Sequence, residues 1–229
     1  MSYLPNTNVL YAIVRNVAKI YRRDFGELQN LQNSKSSKNE FVQKSKSKVE
    51  SFIIDELESK YSKSGYEFIP ISNDSKNDFD ATSIPKNSFI INALEGEMNF
   101  KRGIPLFCIT IAHIKDNIIQ NSIVYNPISD EVFIGERGIS ARHNNIRMNI
   151  SNEENSDNAM VAIDESLNLY TNDIDDTLLK YLNSVNSIRQ MGSISLEICM
   201  VSNGALNCFI GDNESRHSVI ASLLILEES

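Results

Sequence analysis

Apolar residues recur at helical spacing in two segments near the start of the chain. In Asn8–Arg22 and again in Phe41–Tyr61 they fall three or four positions apart, so each segment predicts an amphipathic helix. Two such helices in succession are expected to form an antiparallel pair. The stretches Asn33–Asn39 and Gly65–Lys86 are polar and rich in Asn, Ser, Lys and Asp, which is typical of loops.

Short apolar runs in the middle of the chain predict strands. Turn residues at Lys115–Asn117 and Asn126–Asp130 separate successive runs, so we expect an antiparallel meander. The predicted strands are Phe89–Ile91, Ile104–Ile114, Asn117–Tyr125 and Glu131–Glu136.

The remainder of the chain predicts further helices and strands. The helices are Thr171–Asn186, Ile194–Val201 and His217–Leu226, and the strands are Met160–Ile163 and Ala205–Ile210. Because helices and strands occur in blocks, we expect an α/β protein with α+β layering. It is predicted to be one domain over residues 1–229, with an N-terminal half at 1–150 and a shorter C-terminal half at 151–229. The residues predicted to form the core are Ile104, Leu106, Phe107, Ile109, Ile111, Ile123, Val124, Leu196, Leu206, Phe209, Leu223 and Leu224.

Composition is that of an ordinary globular protein. The chain has 229 residues, of which 41% are hydrophobic and 23% charged, and its net charge is -8. That charge gives no general attraction to nucleic acid or to an anionic membrane, and the sequence shows neither a bilayer-spanning run nor a signal peptide. We therefore expect no membrane and no direct nucleic-acid partner. Cys108, Cys199 and Cys208 sit in apolar stretches and are expected to be buried reduced thiols, which predicts a cytoplasmic location.

One segment carries a family signature. Ile91–Phe107 reads I-N-A-L-E-G-E-M-N-F-K-R-G-I-P-L-F. This resembles the D-P-x-D-G-T-x-N-F-x-x-G-x-P-x-F signature of the inositol monophosphatase family, which includes the bacterial SuhB-like proteins. Ile123–Pro127, Asp130–Phe133, Arg189–Ser193 and Gly204–Leu206 also resemble family motifs, in the family's order. Several motifs in one order are far more specific than any single short pattern.

The resemblance implies a fold and an ancestral chemistry. The fold is an alternating α-β-α-β-α sandwich, here expected to lack the family's last strands. The ancestry is that of Mg²⁺-dependent phosphomonoesterases, which are often homodimers. Such hydrolysis needs several hard oxygen ligands, because neutral groups cannot hold two or three divalent ions beside a phosphate.

Most acids that the resemblance places in the metal site are replaced. Asn92 stands for the first aspartate of the signature and Glu95 for the second, while the Leu94 carbonyl remains available in principle. An amide oxygen is a weaker, neutral ligand for Mg²⁺. The added methylene of glutamate moves the carboxylate by about 1.5 Å. Glu95, Asn92 and Leu94 are therefore predicted to form a degenerate metal site.

The catalytic positions implied by the resemblance are degenerate as well. Ile71 falls where the family has the ligand glutamate of its G-E-E motif, unless a slip in this loop brings Glu67 there instead. Glu97 replaces the threonine that positions the nucleophilic water, and Ser218 replaces the aspartate of the W-D motif. Isoleucine cannot coordinate Mg²⁺ and serine is a poor ligand. No residue is therefore predicted to be catalytic.

Each remaining candidate residue has a structural explanation as well as a functional one. Gly96 and Glu97 begin a predicted helix whose N–H groups favour a phosphate, but the Glu97 carboxylate repels phosphate or simply caps the helix dipole. His217 replaces the tryptophan of the W-D motif and is expected to be solvated or capping. Lys46 replaces an aspartate of the V-T/S-x-x-D motif. Its ammonium could fill space left by a cation, although a solvated lysine in a basic run is favoured.

These replacements favour a catalytically inactive member of the family, a pseudoenzyme. Losing one member of a cooperating catalytic group already removes most of the rate. SuhB-like members have a role with the transcription machinery that does not rest on phosphatase chemistry, so this chain is expected to act through protein contacts. Its predicted partners are a component of that machinery and, in a homodimer, a second copy of itself.

Two other hypotheses stay open. One is a residual Mg²⁺-dependent hydrolase of inositol 1-phosphate or a similar phosphomonoester. The other is a phosphate binder without turnover, using the helix that begins near Gly96. No cofactor is expected to bind tightly, and Mg²⁺ is the cofactor if activity remains.

Overall fold

Two long helices begin the fold and pack together against one face of a sheet. Helix α1 spans Pro5–Asn30 and helix α2 spans Lys35–Tyr61, so both predicted helices are confirmed and extended. Residues 35–39, predicted as loop, lie in α2, because packing of the later turns outweighs weak local preference. The computed structural model describes residues 3–30, 35–71, 84–165, 167, 176–211 and 216–229.

The two helices are antiparallel, as expected. The Tyr61 hydroxyl at the end of α2 donates to Asn6 Oδ1 near the start of α1, at 3.0 Å. At the other end, the Ser45 hydroxyl donates to Asp24 Oδ2 at 2.7 Å. These two contacts fix the register of the pair from both ends.

The main sheet has seven strands in sequence order. The first two strands are parallel and every later pair is antiparallel, so the predicted meander is confirmed. The strands are β1 (Glu67–Pro70), β2 (Ser88–Glu95), β3 (Cys108–Lys115), β4 (Ile118–Asn126), β5 (Glu131–Glu136), β6 (Ser140–His143) and β7 (Ile146–Arg147). Strand β1 lies in a segment predicted to be irregular, because its short edge position requires little apolar content.

A smaller parallel sheet lies in the C-terminal part, with β8 in its centre and β9 and β10 on either side. The predicted strand Met160–Ile163 is confirmed with the same bounds, and the other predicted elements of this part are confirmed with shifted bounds. Residues 171–175 of one predicted helix lie outside the described residues. The elements of this part are β8 (Met160–Ile163), α4 (Asp176–Ser184), β9 (Ser187–Arg189), α5 (Ile194–Ser202), β10 (Cys208–Ile210) and α6 (Arg216–Glu227), with a 3₁₀ turn at Ser156–Asn158. In the N-terminal part, a short helix α3 (Glu97–Arg102) follows β2, and a 3₁₀ turn at Ser62–Ser64 follows α2.

Both faces of the main sheet are covered. Phe89 and Ile91 of β2 pack with α1 and α2, whereas Ile90 packs with α5 and α6. Side chains alternate along a strand, so these clusters lie on opposite faces. The small sheet packs against α5 on one side and α4 on the other. The layers therefore run α1/α2, main sheet, α5/α6, small sheet, α4, which is the expected sandwich.

Most of the predicted core is buried, with two clear exceptions. Ile104 is 43% exposed because β3 begins later, at Cys108, and Leu223 is 41% exposed on the outer side of α6. Leu106 and Phe209 are half-buried. Of the three free cysteines, Cys108 and Cys199 are buried and Cys208 is partly so.

Within the described residues, no helix combines the length and apolarity needed to cross a bilayer.

Candidate functional site

The candidate site lies where β2 ends and α3 begins. Between them, Gly96 caps α3 with a φ of 82°, a left-handed conformation that favours glycine. A Cβ at this position would lie 2.8 Å from the carbonyl oxygen of Leu106. The backbone can make this sharp turn because the residue has no side chain. The prediction that a helix begins at Gly96 and Glu97 is confirmed.

The carboxylate of Glu95 is held by donors of α5. Its Oε1 accepts the backbone N–H of Ser195 at 2.6 Å and the Ser193 hydroxyl at 3.1 Å, and its Oε2 accepts the Ser195 hydroxyl at 2.6 Å. Ser193 precedes α5 but makes no capping bond with its own side chain. Glu95 therefore caps this helix from a distant strand, where a carboxylate also favours the helix dipole. Burial raises the pKa of Glu95, and the three hydrogen bonds oppose that rise.

Asn92 is fully buried, and one hydrogen bond orients its amide. The Leu94 backbone N–H donates to Asn92 Oδ1 at 3.3 Å. Because an N–H can only donate, the atom facing it must be the oxygen. The buried Nδ2 has no acceptor among the described residues. The unsatisfied atom of Asn92 is thus a donor, which has the wrong polarity for a cation.

A bulge in β2 separates Asn92 from Glu95. Asn92 lies opposite Thr110 while Glu95 lies opposite Cys108, so two residues of β2 face one of β3. One of the two is Leu94, whose side chain is buried in the core beside α1 and α2. The bulge shifts the alternation of side chains, and Glu95 reaches α5 as a result.

The register of β1 places Ile71 beside the end of β2. Pro70 pairs with Ile91, and the Ile71 N–H donates to the Ile91 carbonyl at 2.7 Å. The Ile71 side chain packs on the apolar cluster beneath α5 and α6. Glu67 pairs with Ser88 at the other end of β1, about 10 Å along the strand. The structure therefore places isoleucine, and not Glu67, next to the candidate site.

Helix α2 lies against the first turn of α3. The Gln43 side-chain amide donates to Glu97 Oε1 at 2.8 Å. Lys46, one turn further along α2, is 7% exposed. The prediction of a solvated lysine was wrong, because Lys46 shares the inward helical face with Val42 and Val49, which are both buried.

Ser218 and His217 lie in the first turn of α6. Their side chains are outside the described part of the structure, so their place in the site stays a prediction. The assignment of Gly96 and Glu97 to phosphate binding also stays a prediction.

A group of acidic residues near Glu95 could not be identified from the sequence. Asp164 follows β8 and Glu197 lies in the first turn of α5, and both are buried. Glu197 Oε1 accepts the Met191 N–H at 2.5 Å. Burial raises the pKa of Glu197 to about 7, and the nearby carboxyls of Asp164, Glu95 and Glu165 add to the rise. No local motif links these acids, because the fold brings them together from three separate segments.

Among the described residues, the donor set at this site does not fit Mg²⁺. The ion needs several oxygen ligands and gives up its water reluctantly. The Glu95 carboxylate accepts hydrogen bonds from two serines, and the Asn92 side chain has an unpaired N–H donor. The side chain of Ile71 contains only carbon and hydrogen. Nowhere in the described ranges do three or more His, Cys, Asp or Glu side chains form a group that could hold a metal ion.

Comparison with known proteins finds relatives along the whole chain. The sequence model of the inositol monophosphatase family matches residues 3–229. An inositol-1-monophosphatase of Mesorhizobium japonicum is 28% identical over 225 residues, which cover 97% of this chain and 82% of that protein. Nus factor SuhB of Buchnera aphidicola subsp. Schizaphis graminum is 30% identical over 143 residues, which cover 62% of this chain and 53% of that protein.

A solved structure shares the fold. The extragenic suppressor protein SuhB of Bartonella henselae superimposes with a TM-score of 0.78 at 26% identity. The match covers 99% of this chain and 84% of that one. The layered architecture expected from the sequence is therefore confirmed, and relatives of both names, phosphatase and SuhB, share it.

Proposed function

Because this chain belongs to the inositol monophosphatase family, we propose that it is a noncatalytic member that holds no Mg²⁺ and acts through protein contacts. The observation that carries the proposal is the state of Glu95, the one acid retained among the implied ligands. Its carboxylate accepts three hydrogen bonds from Ser193 and Ser195, within 3.1 Å. A carboxylate used in this way has about one lone pair left for a metal ion, and its two oxygens are held towards α5.

The free energies of these hydrogen bonds support the proposal that Glu95 binds no metal ion. Hydrogen bonds to a charged group contribute about 1.5–3 kcal/mol each. Freeing Glu95 for a metal would give up three such bonds and leave buried serine donors unpaired, a loss of roughly 5 kcal/mol or more. Millimolar binding of an ion corresponds to about 4 kcal/mol. One carboxylate, helped by the neutral oxygens of Asn92 and Leu94, does not offset that loss.

The names of relatives support the second half of the proposal. Relatives in Buchnera aphidicola and Neisseria meningitidis are named Nus factor or putative Nus factor SuhB. By analogy with them, we extend the proposal to a protein partner in the transcription machinery. Other relatives are named inositol-1-monophosphatase, so residual hydrolysis of inositol 1-phosphate is the competing function to be tested.

Two measurements on the purified protein test the catalytic half. Calorimetric titration with Mg²⁺ is expected to show no saturable heat, and incubation with inositol 1-phosphate and Mg²⁺ is expected to release no phosphate. The Mesorhizobium japonicum enzyme, in the same buffer, serves as the positive control. A saturable isotherm together with phosphate release that disappears in Glu95→Gln would overturn the proposal and support residual hydrolysis.

The partner is tested by direct binding. Purified RNA polymerase and elongation factors of the source organism are immobilised, and binding of this chain is compared with that of an unrelated acidic protein of similar size. Saturable binding is expected in the absence of Mg²⁺. Equal retention of the two proteins would contradict a role in the transcription machinery.

A further inference from the structure

Two arginines face each other at the edge of the main sheet. Arg142 of β6 lies directly opposite Arg147 of β7, the last strand of the described sheet. Side chains directly opposite each other on antiparallel strands share one face, with their Cβ atoms about 5 Å apart. Like charges in this arrangement repel each other and destabilise the free protein. Arg147 is exposed, and within the described ranges no acid forms an ion pair with it.

Two tyrosines extend this surface towards α1. The Arg142 guanidinium lies over the ring of Tyr3, 5.7 Å from its centroid, and the Tyr3 hydroxyl donates to Asn145 in the turn between β6 and β7. The ring centroids of Tyr3 and Tyr11 are 6.0 Å apart, and the Arg15 guanidinium lies 5.9 Å from the centroid of Tyr11. The tyrosine–arginine surface consists of Tyr3, Tyr11, Arg15, Arg142 and Arg147.

The residue types of the tyrosine–arginine surface are those that dominate protein interfaces. Tyr and Arg are enriched among the residues that contribute most to binding, because they combine a large contact area with directed polar groups. The planar guanidinium binds a carboxylate through two parallel hydrogen bonds. A carboxylate placed between Arg142 and Arg147 would also offset the repulsion between them. The surface is therefore complementary to an acidic ligand.

Acidic residues within and beside this surface disfavour a nucleic acid as that ligand. Asp130 is paired with two arginines of α1, and Glu136 of β5 accepts the Leu4 N–H at 2.7 Å, just before α1. A nucleic acid carries a charge on every phosphate and would bring some of its phosphates close to these carboxylates. A short acidic peptide segment can instead place its carboxylates on Arg142 and Arg147 alone.

We propose that the tyrosine–arginine surface binds an acidic segment of a partner protein, with a carboxylate of that segment held between Arg142 and Arg147. Tyr3 and Tyr11 supply contact area beside the bound carboxylate. The proposal deepens the proposed function, because it names the surface that makes the protein contact, and it rests on that function for the use of protein contacts.

Fluorescence anisotropy tests the binding, with a short fluorescein-labelled poly-L-glutamate as the probe. Arg147→Glu reverses the charge in the surface. Arg189→Glu is the matched control, since Arg189 is exposed on an edge strand of the small sheet and its replacement changes the net charge equally. Arg147→Glu is expected to weaken the binding about tenfold or more, because attraction of a carboxylate becomes repulsion. Arg189→Glu is expected to weaken it about twofold, through the net charge alone.

Thermal unfolding of the same variants separates binding from folding. Arg147→Glu places an acid directly opposite Arg142, which replaces a repulsive pair by an attractive one. Its Tm is therefore expected to lie about 2 °C above that of Arg189→Glu. A residue with a merely structural role would not lose affinity for the probe while the fold becomes more stable.

Four results would overturn the proposal. The first is no saturable binding of poly-L-glutamate by the unmodified protein, and the second is equal affinity of the two variants. The third is a Tm of Arg147→Glu that is not above that of Arg189→Glu, because the arginine pair would then not be repulsive. The fourth is tighter binding of labelled oligouridylate than of poly-L-glutamate, lost in Arg147→Glu, which would assign the surface to RNA.

Failure of this proposal can be told apart from failure of the proposed function. If a transcription component binds Arg147→Glu as tightly as it binds the unmodified protein, the proposed function stands and the tyrosine–arginine surface is not the contact. If poly-L-glutamate binding depends on Arg147 but no transcription component is retained, the surface stands and the role in the transcription machinery does not.

Discussion

Glu95 and Ser195 are joined twice: the carboxylate accepts both the backbone N–H and the hydroxyl of this serine, each at 2.6 Å. The two residues are separated by 100 positions in the sequence. The contact ties the end of the main sheet to the first turn of α5. A residue expected to be the remnant of a metal site therefore has a structural role.

Removing the Glu95 carboxylate is expected to weaken the fold. Glu95→Ala leaves the N–H of Ser195 and two buried hydroxyls without their acceptor, at a cost of about 5 kcal/mol in the free energy of unfolding. Glu95→Gln keeps one acceptor and is expected to lose about half as much. Urea denaturation measures both, with Glu154→Ala in an exposed loop as the control. Equal stability of Glu95→Ala and the unmodified protein would refute the capping role.

Glu197 is expected to make stability fall as pH rises towards 8. Its pKa is about 7 in the folded protein and near 4.3 in an unfolded chain, so between these values the folded state binds the extra proton. This contribution is fully present below about pH 4 and is lost as pH rises through 7. Urea denaturation at pH 5, 6.5 and 8 should show a decline of about 2 kcal/mol.

Glu197→Gln isolates that effect. The amide oxygen can still accept the Met191 N–H, but the side chain no longer titrates. The difference in unfolding free energy between variant and unmodified protein should therefore change steadily in favour of the variant from pH 5 to 8. A constant difference across this range would show that Glu197 does not titrate there.

His113 predicts the opposite slope. Asn121 uses its amide nitrogen on Thr7 at 3.0 Å, so its Oδ1 accepts from His113 Nδ1, while His113 Nε2 accepts the Tyr66 hydroxyl at 3.1 Å. Both ring nitrogens are thus satisfied in the neutral form. Burial lowers the pKa of His113. Stability should therefore fall as pH drops below about 6.5, where the unfolded chain takes up the proton first.

His113→Gln is the variant that checks this contribution. It is expected to be less stable than the unmodified protein at pH 7.5, because the hydrogen-bonded ring is lost, but to lose less stability between pH 7 and 5. Denaturation at these pH values gives the comparison. If the two proteins lose stability equally on acidification, His113 is not the group responsible.

The turn at Gly96 should not tolerate a side chain. Gly96→Ala places a Cβ against the Leu106 carbonyl as well as straining a φ of 82°. Gly138 also has a positive φ, of 71°, but open space around it, so Gly138→Ala measures the strain alone, about 1 kcal/mol. Gly96→Ala is expected to cost about 2 kcal/mol more than this control in thermal or urea unfolding. Equal losses would mean that the close approach carries no energy.

The layered fold could be predicted because its elements have clear local patterns. The bounds of β5 and β8 agree with the predicted runs, and α1 and α2 extend predicted helices. The burial of Lys46 could not be predicted from the basic residues around it, because it depends on which face of α2 packs against the sheet. The partners of Glu95 come from α5, far away in the sequence, and a bulge in β2 was needed to direct the side chain there. The family motifs therefore predicted where these residues lie in the fold better than they predicted what the side chains do there.

The most direct test of the central claim is a crystal structure obtained with Mn²⁺, which substitutes for Mg²⁺ and is visible by its anomalous signal. The account predicts that the Glu95 carboxylate still accepts hydrogen bonds from Ser193 and Ser195, with no anomalous peak within coordinating distance of Glu95 or Asn92. A peak about 2.1 Å from a Glu95 oxygen, with the Ser195 bonds broken, would contradict it.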